Sequence, residues 1–438
     1  MTASAPAAGT SPRLAVQLPL YNEPNVCERL IDAAAVLRYD GKLEIQVLDD
    51  STDQTCEIVR ERVDYWRTRS VDIRVVRRTD RNGYKAGALA WGMLQTEAEL
   101  FAIFDADFVP DADFLERMVP PLEQPGIGMV QARWGHINRE DSSLTRAQSI
   151  FLDGHFAVES AARHLSGVYF NFNGTAGIWK RQAIVEAGGW SASTLTEDLD
   201  LSYRAQLAGW KFVFVPEVEV PAELPATLSG FQGQQHRWAK GSIQTARKLL
   251  PSILASDAGW RVKLEAFFHL TNNSAYLLML LLALLLVPSL AIRHGRHDIR
   301  LLLIDVVLFV ASTASLLCFY AEGQKRVSAR KLRLSEFATL LPLGIALTIS
   351  NSAAVLEGLV QKGGAFRRTG KRGDAVSAPR EGAGRLPIAE TILAVFYLFS
   401  FLILVSAGHY EAVPFLLLFL SGFGYVSVRG WQERFSQA

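Results

Sequence analysis

Hydrophobic residues along this chain change their spacing once, near residue 270. Before that point, short apolar runs alternate with stretches of helical periodicity. Leu14-Ala15-Val16-Gln17-Leu18-Pro19-Leu20 reads as a buried strand that ends in the loop Tyr21-Asn22-Glu23-Pro24. The spacing predicts a helix over 26–37, a second strand over 43–48, a helix over 55–66 and a third strand over 71–76. The loop Arg81-Asn82-Gly83-Tyr84-Lys85 leads into a helix over 86–96, and residues 100–104 make a fourth strand. Strands alternating with helices predict an α/β domain on a mostly parallel sheet covered on both faces. In such sheets ligands bind beyond the carboxyl ends of the strands. Asp49 and Asp105 fall at two of those ends, so they can converge on one crevice.

From residue 275 the runs become long enough to cross a bilayer, which needs about 20 apolar residues. Residues 275–292, 301–320, 387–407 and 412–428 are read as four transmembrane helices. Residues 334–360 carry Glu336, Pro342, Asn351 and Glu357, and are read as an interfacial helix. Basic clusters mark the cytoplasmic side. Lys325, Arg326, Arg330, Lys331 and Arg333 form one cluster, and Lys362, Arg367, Arg368, Lys371 and Arg372 form another. Both are cytoplasmic if 334–360 returns to the side it left, which puts both termini in the cytosol. The arginines of the loop 293–300 then face outside, against the trend. The Gly- and Arg-rich stretch 363–386 reads as a flexible loop.

Bulk properties narrow the class. A net charge of +1 over 438 residues lacks the footprint of a nucleic-acid binder. Cys27, Cys56 and Cys318 are scattered without CxxC spacing, so neither a disulfide framework nor a zinc site is expected. A reducing cytosol around the N-terminal half fits that usage. Residues 1–12 are expected to be a disordered N-terminus, without the charged start and apolar stretch of a signal peptide. Membrane insertion is therefore expected from the C-terminal half.

Four patches then supply candidate chemistry in a fixed order. Asp49 and Asp50 follow a strand, where a carboxylate can accept hydrogen bonds from a base or ribose; an Asp there equally caps a helix or turn. Asp105 and Asp107 flank one residue at a strand exit. Magnesium and manganese prefer oxygen ligands and use one or two carboxylates plus substrate phosphates. Thr196-Glu197-Asp198 opens a helical pattern, and Asp198 is the candidate general base, with a charged helix start as the plainer reading. Gln234-Gln235-His236-Arg237-Trp238 joins a flat apolar face for a sugar ring to a donor fork for phosphate. The same string also suits an amphipathic helix at a membrane surface. Asn173-Gly174-Thr175-Ala176-Gly177 can offer backbone N–H groups, and Lys85 is a phosphate candidate. His236 has no second histidine at helical spacing and is not read as a metal ligand. The ordered set points to sugar transfer from a nucleotide-sugar.

These strings resemble the processive branch of glycosyltransferase family 2. Leu48-Asp49-Asp50-Ser51-Thr52-Asp53, Arg81 to Leu89, Phe104-Asp105-Ala106-Asp107-Phe108, Val130-Gln131-Ala132-Arg133-Trp134, Phe172 to Gly177 and Glu197-Asp198-Leu199-Asp200-Leu201 are especially similar to the plant cellulose synthase-like A and C proteins. The resemblance is strong over residues 14–250 and weak beyond. It implies a cytosolic GT-A domain over 13–250, with interfacial helices toward its end, and a membrane domain over 251–438. It also implies inverting transfer from GDP-mannose or UDP-glucose to a growing β-1,4-linked polysaccharide. By the family pattern, Asp49, Lys85, Asp105, Arg237 and Thr369 would bind the nucleotide-sugar, and Asp105 and Asp107 a Mg2+ or Mn2+ ion. Asp198 would be the catalytic base, and Glu197, Gln234, Gln235 and Trp238 would bind the acceptor. Phe366-Arg367-Arg368-Thr369, within 361–386, resembles the gating loop of cellulose synthases, with Arg368 where Val is usual.

The expected partners are a nucleotide-sugar, a glycan or lipid acceptor and the membrane, with no nucleic acid. Four spans are few for a polymer channel, so a homo-oligomer or an accessory export partner is a further expectation. Two other readings stand beside this one. One is transfer of a single sugar to a lipid, as in ceramide glucosyltransferase-like proteins, which the small number of spans favours. The other is a non-catalytic membrane subunit, which the full set of carboxylates disfavours.

Overall fold

Strands β1 (Leu14–Leu20), β2 (Leu43–Asp49), β3 (Ile73–Val76) and β4 (Leu100–Ile103) lie parallel in one half of a seven-stranded sheet. The coordinates are a computed structural model, which describes residues 11–293, 299–328, 331–364 and 386–436. Three more strands, β5 (Ile127–His136), β6 (Gly177–Lys180) and β7 (Lys211–Ala222), complete the order β3-β2-β1-β4-β6-β5-β7. β6 runs antiparallel to both its neighbours, and β5 pairs parallel with β7. The antiparallel β6 makes the sheet mixed.

Helices α1 (Cys27–Ala35), α2 (Thr55–Arg67) and α3 (Tyr84–Leu94) connect the parallel strands. Side chains alternate along β1, as a pleated strand requires. Leu14, Val16 and Leu18 enter the core on one face, and Ala15 enters the core on the other. Phe104 is fully buried in the first core and Phe101 in the second. Each such burial is worth about 1.5–3 kcal/mol.

After α4 (Phe114–Met118), α5 (Ser143–Gly154) starts at a capping box in which Ser142 Oγ accepts from Thr145 N at 3.1 Å. It runs into a π-helical turn at His155–Ser160 and then α6 (Ala161–Leu165). α7 (Arg181–Glu186) and α8 (Glu197–Leu207) precede β7, and α9 (Leu228–Ala255) leaves the sheet.

The C-terminal half is helical. α10 (Trp260–Thr271) continues through a short 3-10 turn into α11 (Ala275–Arg293), and α12 (Ile299–Ser328), α13 (Leu334–Ala346), α14 (Thr348–Val360), α15 (Ile388–Ser406) and α16 (Val413–Phe435) follow. Among the described residues, four helical stretches are long and apolar enough to cross a membrane: Trp260–Ile292, Leu303–Ser328, Ile388–Ser406 and Tyr410–Phe435. α13 and α14 are bent by 43° at Leu347, and as one unit they would be a fifth. Large apolar side chains such as Leu278, Leu285, Val307 and Ile403 are exposed on these helices. A surface of that kind suits lipid rather than water.

Both ends of the bent pair lean on the N-terminal half. Phe337 and Leu340 of α13 share a buried cluster with Leu144 and Ala147 of α5. At the other end, Lys240 of α9 bonds Glu357 at 2.8 Å, and Gln244 Nε2 donates to Gly363 O at 2.7 Å.

Candidate active site

The exits of β1 and β2 are tied to each other. Asn22 N donates to Ser51 Oγ at 2.9 Å, and Thr52 N donates to Asn22 Oδ1 at 2.9 Å. Of the two acids ending β2, Asp49 turns inward. Its side chain is buried, accepts from Ser51 N at 2.9 Å and lies 3.5 Å from Arg77. Asp50 reaches the cleft and takes a bidentate pair from Arg78 at 2.8 and 2.5 Å. Arg78 also bonds the carbonyls of Asn82 and Tyr84, which fixes the loop before α3. In the same end of the cleft the Arg81 guanidinium stacks 3.1 Å above the centre of the Tyr21 ring.

Asp105 leaves β4 one residue past Phe104, and its N–H donates to Thr175 Oγ1 at 2.9 Å. Lys85, from the first turn of α3, donates to Asp105 Oδ1 at 2.5 Å and to Gly174 O at 2.7 Å. Gly174 has φ +83°, where a Cβ would be strained. A Cβ there would also stand 3.0 Å from Asp198 Oδ2 and 3.5 Å from Lys85 Nζ. Thus Lys85, Asp105, Gly174 and Asp198 meet at one point.

Asp198 sits in the first turn of α8, its Oδ1 accepting from Leu199 N at 2.8 Å. α9 lies on the start of that helix, so closely that a Cβ on Gly241 would fall 2.5 Å from Thr196 Cγ2. Gln234, Arg237 and Trp238 share one face of α9, at helical spacing, and line the cleft with Asp105, Asp107, Glu197 and Asp198. Trp238 lies 6.4 Å from Trp134, which also packs on Phe108 and Phe156, each at 5.2 Å, so aromatic rings form one wall.

Charge is unbalanced here. Four carboxylates, Asp105, Asp107, Glu197 and Asp198, face two cations, Lys85 and Arg237. Burial, and then the neighbouring Glu197, push the Asp198 carboxyl up to about 7. Burial likewise raises Glu197. For Lys85, burial opposes the ammonium, but Asp105, Glu197 and Asp198 outweigh it and hold its pKa above the usual value. Burial lowers Arg237, against the pull of Glu197, Asp105, Asp198 and Asp107. An acidic excess with oxygen donors suits a hard divalent cation. Among the described residues no cluster of three His, Cys, Asp or Glu stands ready for a metal. Asp105 and Asp107 would therefore need substrate phosphates and water to complete a shell.

The structure gathers Lys85, Asp105, Asp107, Glu197, Asp198, Gln234, Arg237 and Trp238, and places Asp49 and Gln235 outside the lining of this cleft. Gln235 lines a second cavity with Gln148, Phe151, Tyr276 and Tyr320, adjoining the first at Leu152 and Gln234. Thr369 and the rest of Phe366-Arg367-Arg368-Thr369 lie outside the described residues. Sequence reasoning named neither Tyr21 and Arg81 nor Trp134 and His136 as site residues. Trp134 was visible as the last residue of Val130-Gln131-Ala132-Arg133-Trp134, and Tyr21 in the first loop.

The family described as "Glycosyltransferase like family 2" matches residues 12–241. Glucomannan 4-beta-mannosyltransferase 7 of Arabidopsis thaliana is 40% identical over 288 residues, 64% of this chain and 52% of that protein. Glucomannan 4-beta-mannosyltransferase 1 of Cyamopsis tetragonoloba is 43% identical over 265 residues, 59% of this chain and 50% of that protein. The chain thus spans about half the length of the curated relatives it matches. Among solved structures, the mannosyltransferase PcManGT from Pyrobaculum calidifontis, in complex with GDP-Man and Mn2+, aligns with a TM-score of 0.52 at 20% identity, covering 81% of this chain and 89% of that one. That likeness concerns the fold: the first half is a GT-A domain, and a helical domain with long apolar helices follows it.

Proposed function

The chain belongs to glycosyltransferase family 2, and on that premise we propose an inverting transferase that moves a hexose from a nucleotide-sugar onto a growing β-1,4-linked glycan. One observation carries this reading. Asp198 stands against Gly174, whose carbonyl binds Lys85, which in turn binds Asp105. A base for an acceptor hydroxyl and a cation beside a strand-end DxD thereby occupy one cleft.

Asp198 takes the proton of the acceptor hydroxyl. That oxygen attacks the anomeric carbon from the face opposite the nucleotide, and the bond to the diphosphate oxygen breaks. The electron pair leaves on the nucleoside diphosphate, and the configuration inverts. Lys85 and Arg237 oppose the charge that grows on the leaving group, a contribution that is large in a dehydrated site. Asp105 and Asp107 would hold a Mg2+ or Mn2+ ion, which when bound neutralises diphosphate charge. Trp238 and Trp134 offer the acceptor sugar a flat apolar wall, with Glu197 and Gln234 as polar contacts. Gln235, in the adjoining cavity, meets a sugar further along the acceptor. The nucleotide base is assigned to the end formed by Tyr21, Asp50 and Arg81, with Asp49 supporting that turn from beneath.

Mannose is the first choice of donor sugar, because the relatives are glucomannan 4-beta-mannosyltransferases and the neighbouring fold was solved with GDP-Man and Mn2+. A multi-pass membrane protein with a cytosolic catalytic half fits the four long apolar helices. The exposed Lys325 and Arg326 support it, since they lie at the end of α12 that meets α5. An interfacial role for the bent pair α13–α14 is supported by the contact of both its ends with the catalytic half.

The test feeds membrane vesicles containing the protein with GDP-mannose or UDP-glucose, plus magnesium or manganese. Product is sized and digested with linkage-specific glycanases. A β-1,4 polymer from one donor, absent with Asp198→Asn, is expected. A single sugar on extractable lipid would move the protein to glycolipid synthesis, and no transfer from any donor would end the reading.

A further inference from the structure

Helices α5 and α12 cross at two glycines. A Cβ on Gly323 would stand 3.0 Å from Cα and 3.2 Å from N of Gly154, and a Cβ on Gly154 would stand 2.6 Å from Phe319 Cε1. At Gly323 the nearest atoms are backbone, so a side chain there presses the helices apart, whereas at Gly154 it would displace the Phe319 ring. The crossing brings the adjoining residues, Asp153 and Gln324, into contact; they are 1% and 0% exposed.

Both oxygens of Asp153 are occupied. Gln324 Nε2 donates to Oδ2 at 2.7 Å, and Arg139 donates to the same oxygen at 2.9 Å. His136 Nε2 stands 3.2 Å from Oδ1. A carboxylate can only accept, so that nitrogen carries hydrogen. Arg139 closes the ring of contacts by donating to Gln324 Oε1. Burial alone would raise Asp153, but His136, Gln324 and Arg139 bring its pKa below the usual value and keep it ionised.

His136 is the last residue of β5 and lines the catalytic cleft two residues from Trp134. A buried ionic network adds little stability over an apolar core of the same shape. It does select one arrangement of its members, and this one ends in the cleft. We propose that the apolar helix α12 is a working part of the catalytic cleft: Gln324, acting through Asp153, is the positioning residue for His136, which orients a sugar hydroxyl of the bound substrate. The last step rests on the sugar-transfer reading above; the coupling of α12 to β5 does not. Of the helices in the C-terminal half, only α12 contributes a side chain to this network among the described residues.

The experiment uses the full chain in vesicles, comparing wild type with Gln324→Glu, Gln324→Leu and Gly323→Ala. Two readouts are taken across pH: kcat and KM per folded molecule, and hydrogen exchange of the peptide covering the end of β5. At pH 8 the carboxylate introduced by Gln324→Glu meets the Asp153 carboxylate without a shared proton. Exchange at 134–138 should rise, and kcat/KM should fall about tenfold or more relative to wild type. As pH falls and the new carboxyl gains a proton, it donates to Asp153 again, and both ratios return toward one. Gln324→Leu should show the same losses at every pH, and Gly323→Ala should show them by parting the helices. Unchanged exchange and unchanged kinetic ratios in all three variants would overturn the proposal. So would a loss of folded protein alone, with kcat and KM per folded molecule as in wild type. If wild type itself transfers no sugar, the function reading falls, and the exchange data decide the coupling alone.

Discussion

Gly174 and Asp198 face each other so closely that a Cβ on the glycine would stand 3.0 Å from the aspartate Oδ2. The glycine also holds φ +83°. Gly174→Ala therefore has two separable effects. The left-handed backbone should cost about 1–2 kcal/mol of stability, read as a lowered melting midpoint. The new methyl crowds the proposed base and the Lys85 ammonium. Transfer should fall by about tenfold or more beyond any loss of folded protein, read from initial rates at saturating donor.

Asp198 carries a carboxyl pushed up to about 7 by burial and by Glu197. A base must be ionised, so kcat/KM should rise with pH through that value and fall about tenfold per pH unit below it. Stability should move the other way. The folded state holds this proton more tightly than the unfolded chain, whose value is near 3.8, so ionisation destabilises the fold as pH climbs from there to about 7. Asp198→Asn should abolish transfer, spare nucleotide binding, and melt higher than wild type at pH 8 but not at pH 4. A flat rate profile, or a variant that keeps most of its activity, would remove Asp198 from the base role.

What could be read from the sequence follows from how local each signal is. β1 to β4 are apolar runs that end in turns or acids, so both the strands and the strand-end position of Asp105 were legible. β5 carries Gln131, Arg133 and His136 among its apolar residues, and β6 has four residues and pairs antiparallel. Their places depend on partners distant in sequence, which periodicity cannot report. Asp49 and Asp50 show a finer limit. Neighbouring side chains at a strand end point to opposite faces, and only the fold decides that Asp50 meets the cleft. In the α9 string, helical spacing does separate Gln235 from Gln234, Arg237 and Trp238, and the structure puts it in the adjoining cavity. The contact of Gln324 with Asp153 arises from a helix crossing, for which the chain carries no local sign.

The excess of acid around Asp105 and Asp107 predicts metal dependence. Chelation of divalent ions should stop transfer, and magnesium or manganese should restore it. Asp107→Asn should raise the metal concentration for half-maximal rate about tenfold or more, while folding is unchanged. Full activity in excess chelator would refute the assignment of these two residues.

Trp238 and Trp134, with ring centroids 6.4 Å apart, frame the end of the cleft proposed for the acceptor. If a sugar ring lies on Trp238, what matters is a flat apolar face rather than the indole N–H. Trp238→Ala should then raise the acceptor KM by about tenfold, with donor KM and nucleotide binding near wild type. Trp238→Phe keeps a ring in place and should recover most of the loss. Arg237, the preceding residue on α9, gives the contrast: Arg237→Ala should act on kcat and on nucleotide release, because its guanidinium faces the carboxylates and the proposed diphosphate. Acceptor titrations at fixed donor, and donor titrations at fixed acceptor, separate the two. A Trp238→Ala variant that lost donor affinity while keeping acceptor KM would reverse the orientation assigned to the cleft.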